Sequence, residues 1–373
     1  MSELNLSEQK NSSPSRELPL VSIIIINYNY EKFLPRAIDS AFQQTYPLKQ
    51  IVVVDDGSTD NSRQIINQYG NKITPVFQEN RGITSATNTG FFASRGEIIF
   101  FLDSDDVFFP HKVEEMVKHY LHVMPQNPDV LIFHRLEMTT DEGMILELTP
   151  NEGLRTVDGK RKNGPFEKLS DPEAAYRHIQ KWGFLPFMNS PTSGLSLTRS
   201  LANQIFPLPE ERLGGQDRLL IYGSMLLGTV YGSSQVLGSY ITHRDSDCFI
   251  KGGSGSENDR KRITINFVND ILQKINKDRI ASLDDSRYAK SYYNKSYYKN
   301  SGSIKGLLKL AYKVPARCFC WETTWFSIQA LWLCLKIVLG IKKKGPRLTK
   351  QAKLFAKAKK MQSKHDSHRP TSV

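Results

Sequence analysis

Over roughly the first hundred positions, short apolar runs alternate with stretches of helical spacing. Val21-Ser22-Ile23-Ile24-Ile25-Ile26 is apolar at nearly every position, which predicts a strand buried on both faces, as in a parallel sheet. Phe33, Leu34, Ala37, Ile38, Ala41 and Phe42 fall at helical intervals and predict a helix over 31–45. Ile51 to Val54 reads as a second strand running into Asp55-Asp56-Gly57. A helix over 58–69 follows, with Ser58, Thr59 or Asp60 as its cap and Ile65 and Ile66 facing inward. Ile73 to Phe77 is a third strand, Thr84 to Arg95 a helix that Gly96 can end, and Glu97 to Leu102 a fourth strand. That strand runs into Asp103-Ser104-Asp105-Asp106. Later, 130–136 and Leu195-Ser196-Leu197 read as strands, 137–165 as polar and turn-rich, Gln216 to Leu227 as a helix, and 259–313 as mostly helical.

This alternation implies an α/β sandwich around a mainly parallel sheet. Ligands bind such sheets beyond the carboxyl ends of the strands, where both acidic clusters lie. Neighbouring carboxylates repel, and a cation or hydrogen-bonding ligand would offset that cost. Asp-x-Asp at a strand end suits Mn²⁺ or Mg²⁺, hard cations that need one or two protein carboxylates beside phosphate oxygens. Taken alone, Asp103-Ser104-Asp105 is equally the composition of a turn or cap.

The order of segments goes further. Val21-Ser22-Ile23-Ile24-Ile25-Ile26-Asn27-Tyr28-Asn29 comes first, then Ile51-Val52-Val53-Val54-Asp55-Asp56-Gly57-Ser58-Thr59-Asp60. Asn80-Arg81-Gly82 follows, with Asn88 and Gly90, then Gly96-Glu97 leading to Phe101-Leu102-Asp103-Ser104-Asp105-Asp106. In this order the chain resembles the family-2 glycosyltransferases, most strongly over residues 21–110. The resemblance implies a GT-A fold, a Rossmann-like nucleotide-diphospho-sugar transferase sandwich with a mainly parallel central sheet and C-terminal helices. It implies inverting transfer of a sugar from a nucleoside-diphosphate donor, UDP foremost, to a hydroxyl of a saccharide or lipid-linked acceptor, with a Mn or Mg cofactor.

Residue roles carry over by position. Asp56 is similar to the carboxylate that accepts a hydrogen bond from uracil, and Tyr28 to a wall of the base pocket. Gly82 matches the glycine that lets backbone approach the nucleotide, and Asn88 belongs to the same donor-binding set. Asp103 would sit beside the ribose and Asp105 on the metal. Asp217, in Gly214-Gly215-Gln216-Asp217-Arg218, matches the base that deprotonates the acceptor, after the acceptor-loop-like Ser193-Gly194. His243, in Tyr240-Ile241-Thr242-His243, is similar to a histidine that approaches metal or diphosphate. The residues alone also allow Asp56 as a helix cap, Tyr28 as core and Asp217 as a carboxylate complementing a helix dipole. The family's usual residues are replaced by Ile26, Thr87, Gln216 and Ile241; Arg81 reads as a substitute cation for the diphosphate or equally as a solvated surface arginine. A catalytically silent sugar-nucleotide-binding or membrane scaffold protein is the alternative function.

Charge adds a partner. The formal net charge is +12, but residues 342–373 hold eleven Lys and Arg against one acid, Asp366, and the rest carries 39 basic and 37 acidic side chains. The tail has one aromatic, Phe355, so no base-stacking platform and no nucleic-acid partner is expected. Ahead of it, Trp321 to Ile341 is apolar with three tryptophans, and reads first as a membrane-surface or re-entrant anchor whose basic tail meets anionic lipid, with a transmembrane helix or a helix packed on the catalytic domain as alternatives. Cys248, Cys318, Cys320 and Cys334 have no zinc or disulfide spacing, and the polar N-terminus lacks a secretory core. The expected place is cytoplasmic, at the inner face of the membrane. The expected organisation is a disordered leader 1–18, a catalytic domain 19–250 (donor half 19–125, acceptor half 126–250), a helical extension 251–316, a membrane-associating segment 317–341 and a basic tail 342–373. Residues 252–255, Gly-Gly-Ser-Gly, read as a lid hinge or a linker.

Overall fold

Four parallel strands bring both acidic clusters to one edge of a sheet. The structure, a computed structural model, describes residues 17–141, 143, 145–148, 154–182, 185, 190–210, 215–243 and 257–277. All of them belong to Met1–Ser282, the first of two units into which the chain divides. The leader up to Arg16, the glycine stretch 252–255, segments 317–341 and 342–373 and all four cysteines lie outside the described residues.

The strands β1 (Val21–Asn27), β2 (Lys49–Asp56), β3 (Thr74–Gln78) and β4 (Ile98–Asp103) pair in parallel in the order β3-β2-β1-β4. Their register sets Asn27 opposite Asp55, Ile26 opposite Asp103 and Asp56 opposite Gln78. Beyond β4 the sheet continues through β11 (Leu195–Thr198), antiparallel to both neighbours, then β6 (Val130–Thr140), β12 (Thr229–Thr242) and β10 (Phe166–Ser170). β12 runs parallel to β6, and the two-residue β5 (Val107–Phe108) pairs with it. The α/β sandwich expected from the sequence is present, with a mixed sheet.

Side chains alternate across the sheet, so each face has its own core. Val21, Ile23, Ile25, Ile51, Val53, Ile98, Phe100 and Leu102 pack with α1 (Leu34–Phe42) and α4 (Lys112–Val123). α3 (Ile83–Ala93) covers the opposite face, and a Cβ at Gly90 would lie 2.4 Å from Ile24 Cγ2, so this close approach requires glycine. α7 (Gln216–Leu227) packs against α5 (Pro172–Trp182), α6 (Arg199–Ile205) and α8 (Glu257–Lys274). α8 buries Ile263, Phe267, Val268, Ile271 and Leu272 along one face.

Two predicted helices are shorter than their apolar spacing suggested. α1 starts at Leu34, with Pro35 in its first turn, where a missing N–H costs nothing. α2 (Ser62–Gln68) starts four residues after Ser58, because residues 58–60 make side-chain-to-backbone bonds instead of helical ones. Ser58 N donates to Asp55 Oδ2, Thr59 N to Asn29 Oδ1, and Ser62 N to Asp60 Oδ1.

Candidate active site

Asp55 and Asp56 are neighbours with opposite tasks. Strand alternation turns Asp55 toward the turn after β1, where its Oδ1 accepts from Asn27 Nδ2 and from the Ser58 hydroxyl. Asp56 points across β3. Its Oδ1 accepts from Gln78 Nε2 at 2.7 Å and Arg81 N at 3.0 Å, and its Oδ2 from Gly82 N at 2.8 Å. It therefore ties down the loop 80–82 at the start of α3 and does not cap α2. Gly82, at φ +91°, stands at the N-terminus of α3. Tyr28 is 44% exposed, so it is a surface ring and not core.

Asn88 is bonded to the segment 208–210. It is buried, and its amide clamps the backbone of one residue, donating to Leu208 O and accepting from Leu208 N, both at 2.8 Å. A further bond goes to Glu210 Oε1 at 3.2 Å. Arg81 pairs loosely with the same Glu210, at 3.9 Å with both side chains exposed.

At the end of β4, Asp103 N donates to Ser193 Oγ at 3.0 Å. Burial, with the charges of Asp105 and Asp217, pushes the Asp103 carboxyl up to about 8. Asp217 stands in the first turn of α7, whose Gln216 Nε2 donates to Thr192 Oγ1, beside the Ser193 that bonds Asp103 N. Asp105 Oδ2 lies 3.1 Å from His243 Nε2. The imidazole stacks on Phe33 at 4.2 Å and meets the edge of Tyr30, and its Nδ1 is buried without a partner. Asp106, 1% exposed, accepts from Ile241 N at 2.9 Å, fixing the end of β12 beside the turn.

Among the described residues no group of three or more His, Cys, Asp or Glu forms a ready metal cage. The Asp105 carboxylate beside the His243 imidazole does fit a cation whose remaining positions are taken by phosphate oxygens and water. The side chain of Asp105 retains 16% exposure, which leaves it reachable.

Three residues of this neighbourhood went unread in the sequence: Lys112, Thr192 and Gln216 as a contact. Lys112 is fully buried, donates to Ser193 O at 2.6 Å and lies over the Phe108 ring at 3.2 Å. Burial pulls its ammonium well below the usual lysine range, and Asp106 counters that. The signal was available: Lys112, Met116, Tyr120 and Val123 share one helical face, so a lysine occupies a core position.

The profile "Glycosyl transferase family 2" matches residues 22–169. The "Uncharacterized glycosyltransferase alr2836" of Nostoc sp. is 34% identical over 294 residues, covering 75% of this chain and 83% of that protein. The "Putative glycosyltransferase EpsH" of Bacillus subtilis is 37% identical over 105 residues, covering 27% of this chain and 30% of that one. Among solved structures, S. aureus TarS 1-349 in complex with UDP-GlcNAc aligns with TM-score 0.47 and 18% identity, over 80% of this chain and 81% of that one.

Proposed function

The chain belongs to the family-2 glycosyltransferases and is a glycosyltransferase of GT-A fold; from that premise we propose that it moves a sugar from UDP to an acceptor hydroxyl with inversion. The observation that carries the proposal is the convergence of Asp105, His243 and Asp217 around Asp103.

A divalent cation, Mn²⁺ or Mg²⁺, supplies positive charge to the departing diphosphate. Asp105 and His243 are the residues proposed to hold it. Tyr28 offers an exposed ring to the base. Asp56 uses three of about four lone-pair sites on Gln78, Arg81 and Gly82, which leaves one on Oδ2 for a uracil N–H. Gly82 lets the held loop approach the nucleotide, and Asp103 serves the ribose side. Asn88 acts on the donor side through the segment Leu208–Glu210 that it clamps. Asp217 takes the proton of the acceptor hydroxyl as its oxygen bonds to the anomeric carbon and the bond to diphosphate breaks.

We further propose a saccharide or lipid-linked acceptor in cell-surface polysaccharide or glycolipid synthesis, at the inner face of the membrane. Support comes from the apolar and basic pattern of 317–373. Among the described residues no helix is long and apolar enough to cross a membrane. Salt-sensitive binding of the full chain to anionic liposomes, lost on removal of 317–373, is the expected result.

The deciding experiment is a panel of UDP- and GDP-sugars with Mn²⁺ or Mg²⁺, read as diphosphate release by wild type and Asp217→Asn. Metal-dependent UDP release by wild type, reduced on the order of 100-fold in the variant, is expected. Equal turnover by the variant removes Asp217 as base, and GDP release alone overturns the assignment to UDP.

A further inference from the structure

The 3-10 turn Thr192–Gly194 touches three parts of the site at once. Ser193 Oγ accepts from Asp103 N at 3.0 Å, and Ser193 O accepts from Lys112 Nζ at 2.6 Å. Thr192 Oγ1 accepts from Gln216 Nε2 at 3.1 Å, and Gln216 immediately precedes Asp217. Thr192, Ser193, Lys112 and Gln216 are all buried, so their hydrogen bonds have no water to substitute for them. Two consecutive residues thus bond to the strand end that carries Asp103 and to the first turn of the helix that carries Asp217.

Lys112 shows what the arrangement is for. A buried ammonium costs more than an apolar side chain that would fill the same space, so stability alone does not account for a lysine here. Its Nζ donates to the carbonyl of the turn, and the face of Phe108 closes it off below. The Nζ donor holds the backbone of Ser193 in place from the side of α4.

We propose that Thr192 and Ser193, held by Lys112, are positioning residues that fix Asp217 relative to the Asp103–Asp105 turn. This rests on Asp217 being the base. A general base must lie within hydrogen-bond reach of the acceptor hydroxyl while the donor is held at the turn. A misplacement of about 1 Å between them can cost on the order of 100-fold in rate. None of the three need touch substrate to exert that control.

The test compares Thr192→Val, nearly isosteric and lacking only the hydroxyl, with Thr192→Ser, which keeps it. Turnover is read as UDP release from the best substrate of the UDP-sugar panel, and donor affinity as binding of UDP with Mn²⁺. Thr192→Val is expected to lower kcat about 10-fold or more with UDP affinity within about two-fold, and Thr192→Ser to restore kcat. In an Asp217→Asn background Thr192→Val is expected to cost nothing further, because the same step is already lost. Gln216→Leu breaks the bond from its other end and is expected to repeat the kcat loss; it serves where the valine variant does not fold. Unchanged kcat in both variants, equal loss in the valine and serine variants, or additive loss in the Asp217→Asn background each overturns the proposal. Failure of the base assignment is separate: there Asp217→Asn alone keeps wild-type turnover.

Discussion

His243 Nε2 and Asp105 Oδ2 lie 3.1 Å apart across 138 positions of chain. Their meeting is built from both ends. The imidazole is held by stacking on Phe33, and the strand that delivers it is fixed by Ile241 N donating to Asp106. The Asp-Ser-Asp turn is fixed in its own right by Asp103 N on Ser193 Oγ. The carboxylate and the imidazole therefore come as one preset pair, whichever ligand stands before them.

That pair predicts an unequal response to substitution. Asp105→Asn removes the hard anionic oxygen and should lower metal-dependent UDP release on the order of 100-fold or more. His243→Ala leaves the carboxylate in place and should weaken the apparent Mn²⁺ affinity by about 10-fold, with turnover largely recovered at high Mn²⁺. Titration of activity with Mn²⁺ after chelator treatment separates the two. Full activity of Asp105→Asn at low Mn²⁺ rejects the metal role.

Asn88 gives a prediction of a different kind. Its amide satisfies both backbone polar groups of one buried residue, Leu208, and Asn88→Ala leaves both without that partner. The expected cost is about 2 kcal/mol or more in stability. Thermal unfolding should show a clear drop in Tm, with UDP affinity of the folded variant weakened because segment 208–210 loses its clamp. Loss of UDP binding at an unchanged Tm would instead return Asn88 to direct donor contact.

How far the sequence could be read depended on what each segment packs against. β1, β2 and β4 are buried on both faces and their β-branched runs were plain, as were the carboxylates that end them. β12 was not legible: Gly232, Ser233, Ser234 and Gly238 interrupt its pattern, and at Gly232 and Gly238 the space for a Cβ is filled by neighbouring side chains or backbone. Its strand character comes from pairing with β6 and β10, which a local window does not contain. For Asp56 and Asn88 the residues were visible and the partners were not. Position in a motif does not say that one carboxylate is tied to loop 80–82, or that one amide faces a peptide 120 positions away.

The turn after β2 predicts a positional cost for a single methyl group. Gly57 has φ +74°, and a Cβ there would lie 2.6 Å from the backbone N of Asn80, which cannot swing aside. Gly159 has φ +82° with nothing within 4 Å of a Cβ, so it carries the conformational cost alone. Gly159→Ala should cost about 1 kcal/mol, and Gly57→Ala at least about 1 kcal/mol more, with weaker UDP binding because loop 80–82 is displaced. Equal unfolding free energies for the two variants would show that the loop gives way at no cost.

Asp103 contributes a pH dependence of its own to the metal-free protein. Its ordinary value is 3.8 and the fold raises it to about 8, through burial and the charges of Asp105 and Asp217. Between those values the folded state holds a proton that the unfolded state has released. Stability therefore falls as pH rises through that window, by at most about 1.4 kcal/mol per pH unit from this group. Asp106 is raised for the same reasons, burial first and then Asp105 and Asp103, and adds in the same direction. Denaturant unfolding in the presence of a chelator, at steps from pH 5 to pH 8, should show wild type losing stability relative to Asp103→Asn. Asp103→Asn removes the titrating group and should flatten that slope, and Asp217→Asn should reduce it by lowering the charge that Asp103 meets. Added Mn²⁺ should likewise lessen the loss toward pH 8, because a bound cation favours the ionised carboxylates. A wild-type protein whose metal-free stability rises from pH 5 to pH 8 as steeply as that of Asp103→Asn would contradict the crowding of carboxylates at this turn.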